Sequence, residues 1–167
     1  MSDRIVIMDD GRISQVGPPT ELYDHPATPY VANFIGTSNM VEAKVTEVTD
    51  DTIVTRFGDA LIRVAARGSA PRVGASVMLC IRPERMRLIA NGDAAPDGHN
   101  RLTAVVREHF FPGNSVQIVL DAGGDKPLVI HQQLEAAFGE ANLPANGQSI
   151  SLLFDPASVT LFEDVTW

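Results

Sequence analysis

The densest cluster of chemically capable side chains is Arg82-Pro83-Glu84-Arg85-Met86-Arg87, which sets three guanidinium groups and one carboxylate around a proline. Permanently charged arginine forks suit a contact that senses a partner surface, the alternative being an edge turn with solvated charges. Pro83 stiffens a turn there and is expected to present Arg82 and Glu84 outward, with Arg85 and Arg87 adding positive charge. Other groups form no catalytic pattern. Ser115, His109 and Asp121 could be assembled into a hydrolytic set, but no nucleophile elbow surrounds the serine. His25, His99, His109 and His131 lack metal-ligand spacing. The single cysteine, Cys80, excludes an internal disulfide and a multi-cysteine metal site, and within Val77-Met78-Leu79-Cys80-Ile81 it reads as a buried, inert thiol. Gly123-Gly124-Asp125-Lys126 has neither the spacing nor the hydroxyl of a phosphate-binding loop. No catalytic, metal or cofactor-binding residue is assigned.

The elements that must position the arginine cluster follow from periodicity. Arg4–Met8 and Arg12–Val16 flank Asp9-Asp10-Gly11 and read as a β-hairpin. Thr20 is expected to cap a short helix that ends near His25, because Pro26 follows. Thr28 before Pro29 repeats the capping signal, and Tyr30, Val31, Phe34 and Ile35 fall on one face of a helix closed by Gly36. From Met40 the pattern alternates. Strands are expected at Val41–Val48, Ile53–Phe57, Leu61–Ala65, Val77–Ile81, Met86–Ile89, Leu102–His109, Val116–Leu120, Leu128–Ile130, Ile150–Phe154 and Val159–Phe162. Leu134–Phe138 is read as a helical turn and Ala90–Asn100 as a loop. Short strands with turns at this spacing indicate a mainly β fold of small barrel or sandwich type.

The net charge of −8 excludes nucleic acid as the natural partner, and with it base stacking by Phe110-Phe111. The charge is uneven: −3 over residues 1–39, +2 over 40–90 and −7 over 91–167. No apolar run approaches the roughly 18 residues of a membrane helix, and no secretory pattern opens the chain, so a cytoplasmic location is expected.

The β-region repeats. Residues 74–89, from Gly74-Ala75-Ser76 through Arg82-Pro83 to Leu88-Ile89, align without gaps on residues 147–162, from Gly147-Gln148-Ser149 through Asp155-Pro156 to Leu161-Phe162. Asn39-Met40-Val41-Glu42-Ala43 likewise aligns on Asn100-Arg101-Leu102-Thr103-Ala104. Two related β-units, about 40–90 and 100–167, are expected in tandem.

Residues 2–26, with Ser2-Asp3-Arg4-Ile5, Gly11-Arg12-Ile13 and Gly17-Pro18-Pro19-Thr20-Glu21-Leu22-Tyr23, together with Pro29-Tyr30-Val31-Ala32-Asn33-Phe34-Ile35-Gly36, resemble the last part of an ABC importer ATPase domain. Residues 40–167, with Ile81-Arg82-Pro83-Glu84, resemble the TOBE regulatory domain that follows it. The resemblance implies an OB-like barrel fold of TOBE type, residues 1–39 being a remnant of the ATPase domain and 40–167 a regulatory β-domain. It implies a non-catalytic chain whose parent uses ATP and magnesium at the inner face of the plasma membrane, with membrane-spanning permease subunits as partners. Polyamine is the favoured solute and ferric iron the second. Arg82, Glu84, Arg85 and Arg87 become candidate regulatory contacts with the ATPase domain. Ile5, Ile7, Ile13, Tyr30 and Phe34 become contacts to an ATPase core or to a second copy in a homodimer. The alternative reading is a small-ligand module that binds an oxyanion.

Overall fold

The computed structural model describes residues 3–89, 94, 96–133 and 143–163. The expected helical turn at Leu134–Phe138 lies outside the described residues, as does part of the Ala90–Asn100 loop.

Strands β1 (Ile5–Asp9) and β2 (Arg12–Gly17) form the N-terminal hairpin. Helix α1 (Pro19–Asp24) follows, and its start differs from expectation: Pro18, not Thr20, holds the N-cap position, with no side-chain cap. Proline at the first helical position has a preset φ and no N–H to satisfy, so a capping hydroxyl is dispensable. Helix α2 (Pro29–Ile35) starts as expected, the Thr28 hydroxyl accepting from Val31 N–H at 3.2 Å.

The rest is β. The first unit supplies β3 (Asn39–Val48), β4 (Thr52–Phe57), β5 (Ala60–Ala65), β6 (Ser76–Ile81) and β7 (Arg87–Ile89). The second supplies β8 (Asn100–Phe110), β9 (Ser115–Asp121), β10 (Leu128–Gln133), β11 (Ser149–Phe154) and β12 (Val159–Phe162). They build two antiparallel sheets, ordered β12-β6-β3-β4-β5 and β10-β9-β8-β11-β7. Each unit therefore donates its last strand to the other's sheet. The chain makes these crossings through matching 3-10 turns, Pro83–Arg85 and Pro156–Ser158.

The repeat seen in the sequence is a repeat of register. Asn39 pairs with Ile81 and Lys44 with Ser76, while Asn100 pairs with Phe154 and Val105 with Ser149. Both first strands bulge at the corresponding place, between Val45 and Glu47 and between Val106 and Glu108. Gly74 and Gly147 take φ of 88° and 82°, a left-handed conformation that glycine adopts without a Cβ penalty. From there their N–H groups bond Val45 O at 2.8 Å and Val106 O at 2.7 Å, which fixes both bulges.

Alternation places Val41, Ala43 and Val45 inward on β3 and Leu102, Ala104 and Val106 inward on β8, and both sheets share one continuous core. Strand β6 is buried on both faces, which explains its unbroken apolar run. Val77, Leu79 and Ile81 enter the common core, whereas Met78 and Cys80 meet Ala32 of α2 and Phe162 of β12. Cys80 is therefore the buried thiol expected, and burial pushes its pKa up against the opposing effects of Ser38 and Arg82.

The N-terminal segment has a small core of its own. Ile7, only 1% exposed, packs with Leu22 and Val31, flanked by Ile5 and Ile35. The expectation that Ile5 and Ile7 await an outside surface is thus corrected: the hairpin's inner face is closed by α1 and α2.

Candidate functional site

The site grows from the turn that closes β6. Pro83 fixes the 3-10 turn, and the preceding Arg82 leaves the strand in an extended conformation. Its side chain runs inward, against the outward orientation expected, and only 5% of the residue is exposed. The cause is a set of carbonyls at the C-terminal ends of α1 and α2, which no intrahelical donor can reach. Arg82 Nη1 donates to Ala32 O at 2.9 Å and Gly36 O at 3.1 Å, reaches Thr37 O at 3.5 Å, and donates to the Ser38 hydroxyl. Its Nη2 donates to Tyr23 O at 3.2 Å, and the guanidinium carbon lies 4.3 Å from the centre of the Tyr23 ring. Burial lowers the Arg82 pKa, while Cys80 and Asp24 oppose that shift.

Two more arginines continue the contact. Arg85 reaches Asp24 at 3.3 Å, and both side chains are about half exposed. Arg67 meets His25 Nδ1 at 3.0 Å and donates to Ala157 O at 2.8 Å. Tyr23, Asp24 and His25, three successive residues, are each held by a different arginine of the β-region. The arrangement is a mechanical clasp between the helical segment and the barrels. Among the described residues no group of histidine, cysteine and carboxylates could hold a metal ion.

The other singled-out residues divide. Glu84 and Arg87 are exposed and take no part in the clasp. Ile13, Tyr30 and Phe34 are exposed, Ile13 at 63% and Phe34 at 65%, and Val6 and Met8 join them. Tyr30 and Phe34 lie 6.1 Å apart by ring centres, and the Tyr30 hydroxyl donates to Met8 O at 3.2 Å, tying α2 to the hairpin edge. His109 and His131 each bury an Nε2 atom without a hydrogen-bond partner. Ser115, His109 and Asp121 do not form a triad: Asp121 is engaged by Arg107 and Gly123.

Sequence reasoning missed Arg67, Tyr23, Asn39 and Asn100. The two asparagines did carry a signal, since they head the aligned segments of both units. Arg67 carried none; its partners are far away in the chain.

Comparison with known proteins agrees with this fold. The TOBE domain family matches residues 79–162. A spermidine/putrescine import ATP-binding protein PotA of Acidothermus cellulolyticus is 38% identical over 93% of this chain and 40% of its own length. An Fe(3+) ions import ATP-binding protein FbpC of Agrobacterium fabrum is 38% identical over 66% of the chain and 30% of its own length. The chain therefore spans well under half the length of these curated relatives. The molybdate-bound structure of the cytoplasmic molybdate-binding protein ModG superposes with a TM-score of 0.62 at 16% identity, covering 74% of this chain and 94% of ModG. That likeness is one of fold. With the family match spanning half of the chain, the paired five-stranded sheets are those of an OB-like TOBE fold, and the chain belongs to the TOBE domain family, of the type in the C-terminal region of PotA-like ATP-binding proteins of ABC importers.

Proposed function

We propose that this chain is the non-catalytic regulatory part of an ABC importer's ATP-binding subunit, whose parent couples ATP hydrolysis to polyamine uptake, with ferric iron as the second solute. The arginine clasp is the observation that carries the reading. Residues 1–39, which resemble the end of an ATPase domain, are joined to the barrels by charged and hydrogen-bonded contacts, so displacement of one side is transmitted to the other. The sequence contains no phosphate loop, so nucleotide chemistry belongs to the parent's other residues. Partners on this reading are the ATPase domain, a second copy of the subunit and the permease subunits, at the cytoplasmic face of the membrane.

Two measurements test the proposal. The 167-residue chain should show no magnesium-dependent ATP turnover, and turnover that survives repurification would refute its non-catalytic nature. In the full-length subunit assembled with its permease, Arg82→Met should leave ATP affinity unchanged and alter solute-stimulated hydrolysis several-fold. A folded variant with unaltered stimulation would remove the coupling role.

A second reading, an oxyanion-binding module, draws support from the fold shared with molybdate-binding ModG. Titration with molybdate and tungstate tests it, and no saturable binding would end it.

A further inference from the structure

We propose that the cavity inside the arginine clasp binds a small tetrahedral dianion of the phosphate or sulfate type, held by Arg67, Arg82 and Arg85. The cavity, about 260 Å³, lies between the end of α1, the end of β6 and the corner that leads into β12. Three guanidinium groups line it against one carboxylate, Asp24, a surplus of two positive charges in a chain of net charge −8.

Arg82 is the anchor. It is buried, and among the described residues no carboxylate lies within ion-pair distance of it. Carbonyls and one hydroxyl take Nη1 and one Nη2 hydrogen, while the Nε hydrogen and the second Nη2 hydrogen have no acceptor among the described residues. Arg82 lines the cavity with donors that no acceptor among the described residues takes, and an anion there would supply both counter-charge and acceptors. Arg67 and Arg85 add further guanidinium donors at the rim, and Thr160 adds a hydroxyl on the barrel side. The volume falls below the roughly 300–1,000 Å³ of pockets for drug-sized ligands, which selects an inorganic ion over a nucleotide. A bound dianion would touch the helical segment and the barrel corner together and so tighten the clasp.

This site includes Tyr23, Asp24 and His25 of the N-terminal segment. It rests on the oxyanion-binding reading and gives it a location, and the Arg67 and Arg85 variants below separate it from an anion held elsewhere on the barrels. It is tested by calorimetric titration of the 167-residue chain with inorganic phosphate, and separately sulfate, at constant ionic strength. Saturable one-site binding of either ion is expected, weakened about tenfold or more by Arg67→Gln and by Arg85→Gln. Both arginines are exposed, so these variants should stay folded, and Arg72→Gln, outside the cavity, should bind normally. As a second readout, the Arg82 Nε–H resonance of the unaltered chain should shift along the same isotherm. Non-saturable heats, equal affinity in the Arg67 and Arg85 variants, or an unmoved Arg82 resonance at saturation would each overturn the proposal.

Discussion

Asn39 and Asn100 head the first strands of the two β-units, and each carboxamide grips the backbone of the other unit's edge strand. Asn39 accepts from Val129 N–H at 2.7 Å and donates to Val129 O at 2.8 Å; Asn100 accepts from Arg63 N–H and donates to Arg63 O, both at 2.8 Å. Both side chains are buried, and β5 and β10 are edge strands that would otherwise leave these groups unpaired. Asn39→Ala or Asn100→Ala should each cost about 1–3 kcal/mol in urea unfolding. Asn39→Asp should cost more, because an acceptor would replace the amide donor facing Val129 O. Wild-type stability in either alanine variant would show that water replaces the bonds without loss.

Arg82 and the N-terminal segment should be thermodynamically coupled. In the whole chain Arg82→Met strands carbonyls of Tyr23, Ala32, Gly36 and Thr37, at a cost of about 3 kcal/mol or more. A chain cut to residues 39–167 keeps every described strand of both sheets and should unfold cooperatively with a β-rich circular dichroism spectrum. There the same substitution should be nearly neutral, because its acceptors have gone. Equal costs in both backgrounds would separate Arg82 from the clasp.

The apolar surface of Val6, Met8, Ile13, Tyr30 and Phe34 should drive self-association. Full burial of such side chains contributes about 1.5–3 kcal/mol each, and contiguous exposed patches tend to find a partner surface. A homodimer is expected by light scattering, lost in the Ile13→Ser, Phe34→Ser double variant and in the 39–167 chain. A whole chain that stays monomeric at high micromolar concentration would contradict it.

Asp121 provides a pH test. Its hydrogen bond to Arg107, with a further one from Gly123 N–H at 2.9 Å, holds its pKa below the ordinary aspartate range. Since the folded-state value is depressed, the contribution is present above about pH 4 and is lost as pH falls through the folded pKa. The pair is exposed, so the effect on stability is small. Carboxylate NMR titration should show Arg107→Gln raising the Asp121 pKa toward the ordinary aspartate range, and an unshifted midpoint would assign the depression elsewhere.

What the sequence determined was local. Alternation marked the strands, the Gly74 and Gly147 segments announced two copies of one β-unit, and Thr28-Pro29 started α2, because each depends on neighbours within a few residues. Alternation says which side chains face a core, not which strand lies alongside, so the exchange of β7 and β12 between sheets was decided by tertiary structure. The same holds for Arg82. Beside Pro83 it reads as a surface charge, and its inward course follows from carbonyl acceptors at residues 23–37 that only folding brings near. An asparagine letter likewise does not name its partner: Val129 and Arg63 are reached only when each unit closes against the other, where a buried edge must find its hydrogen bonds.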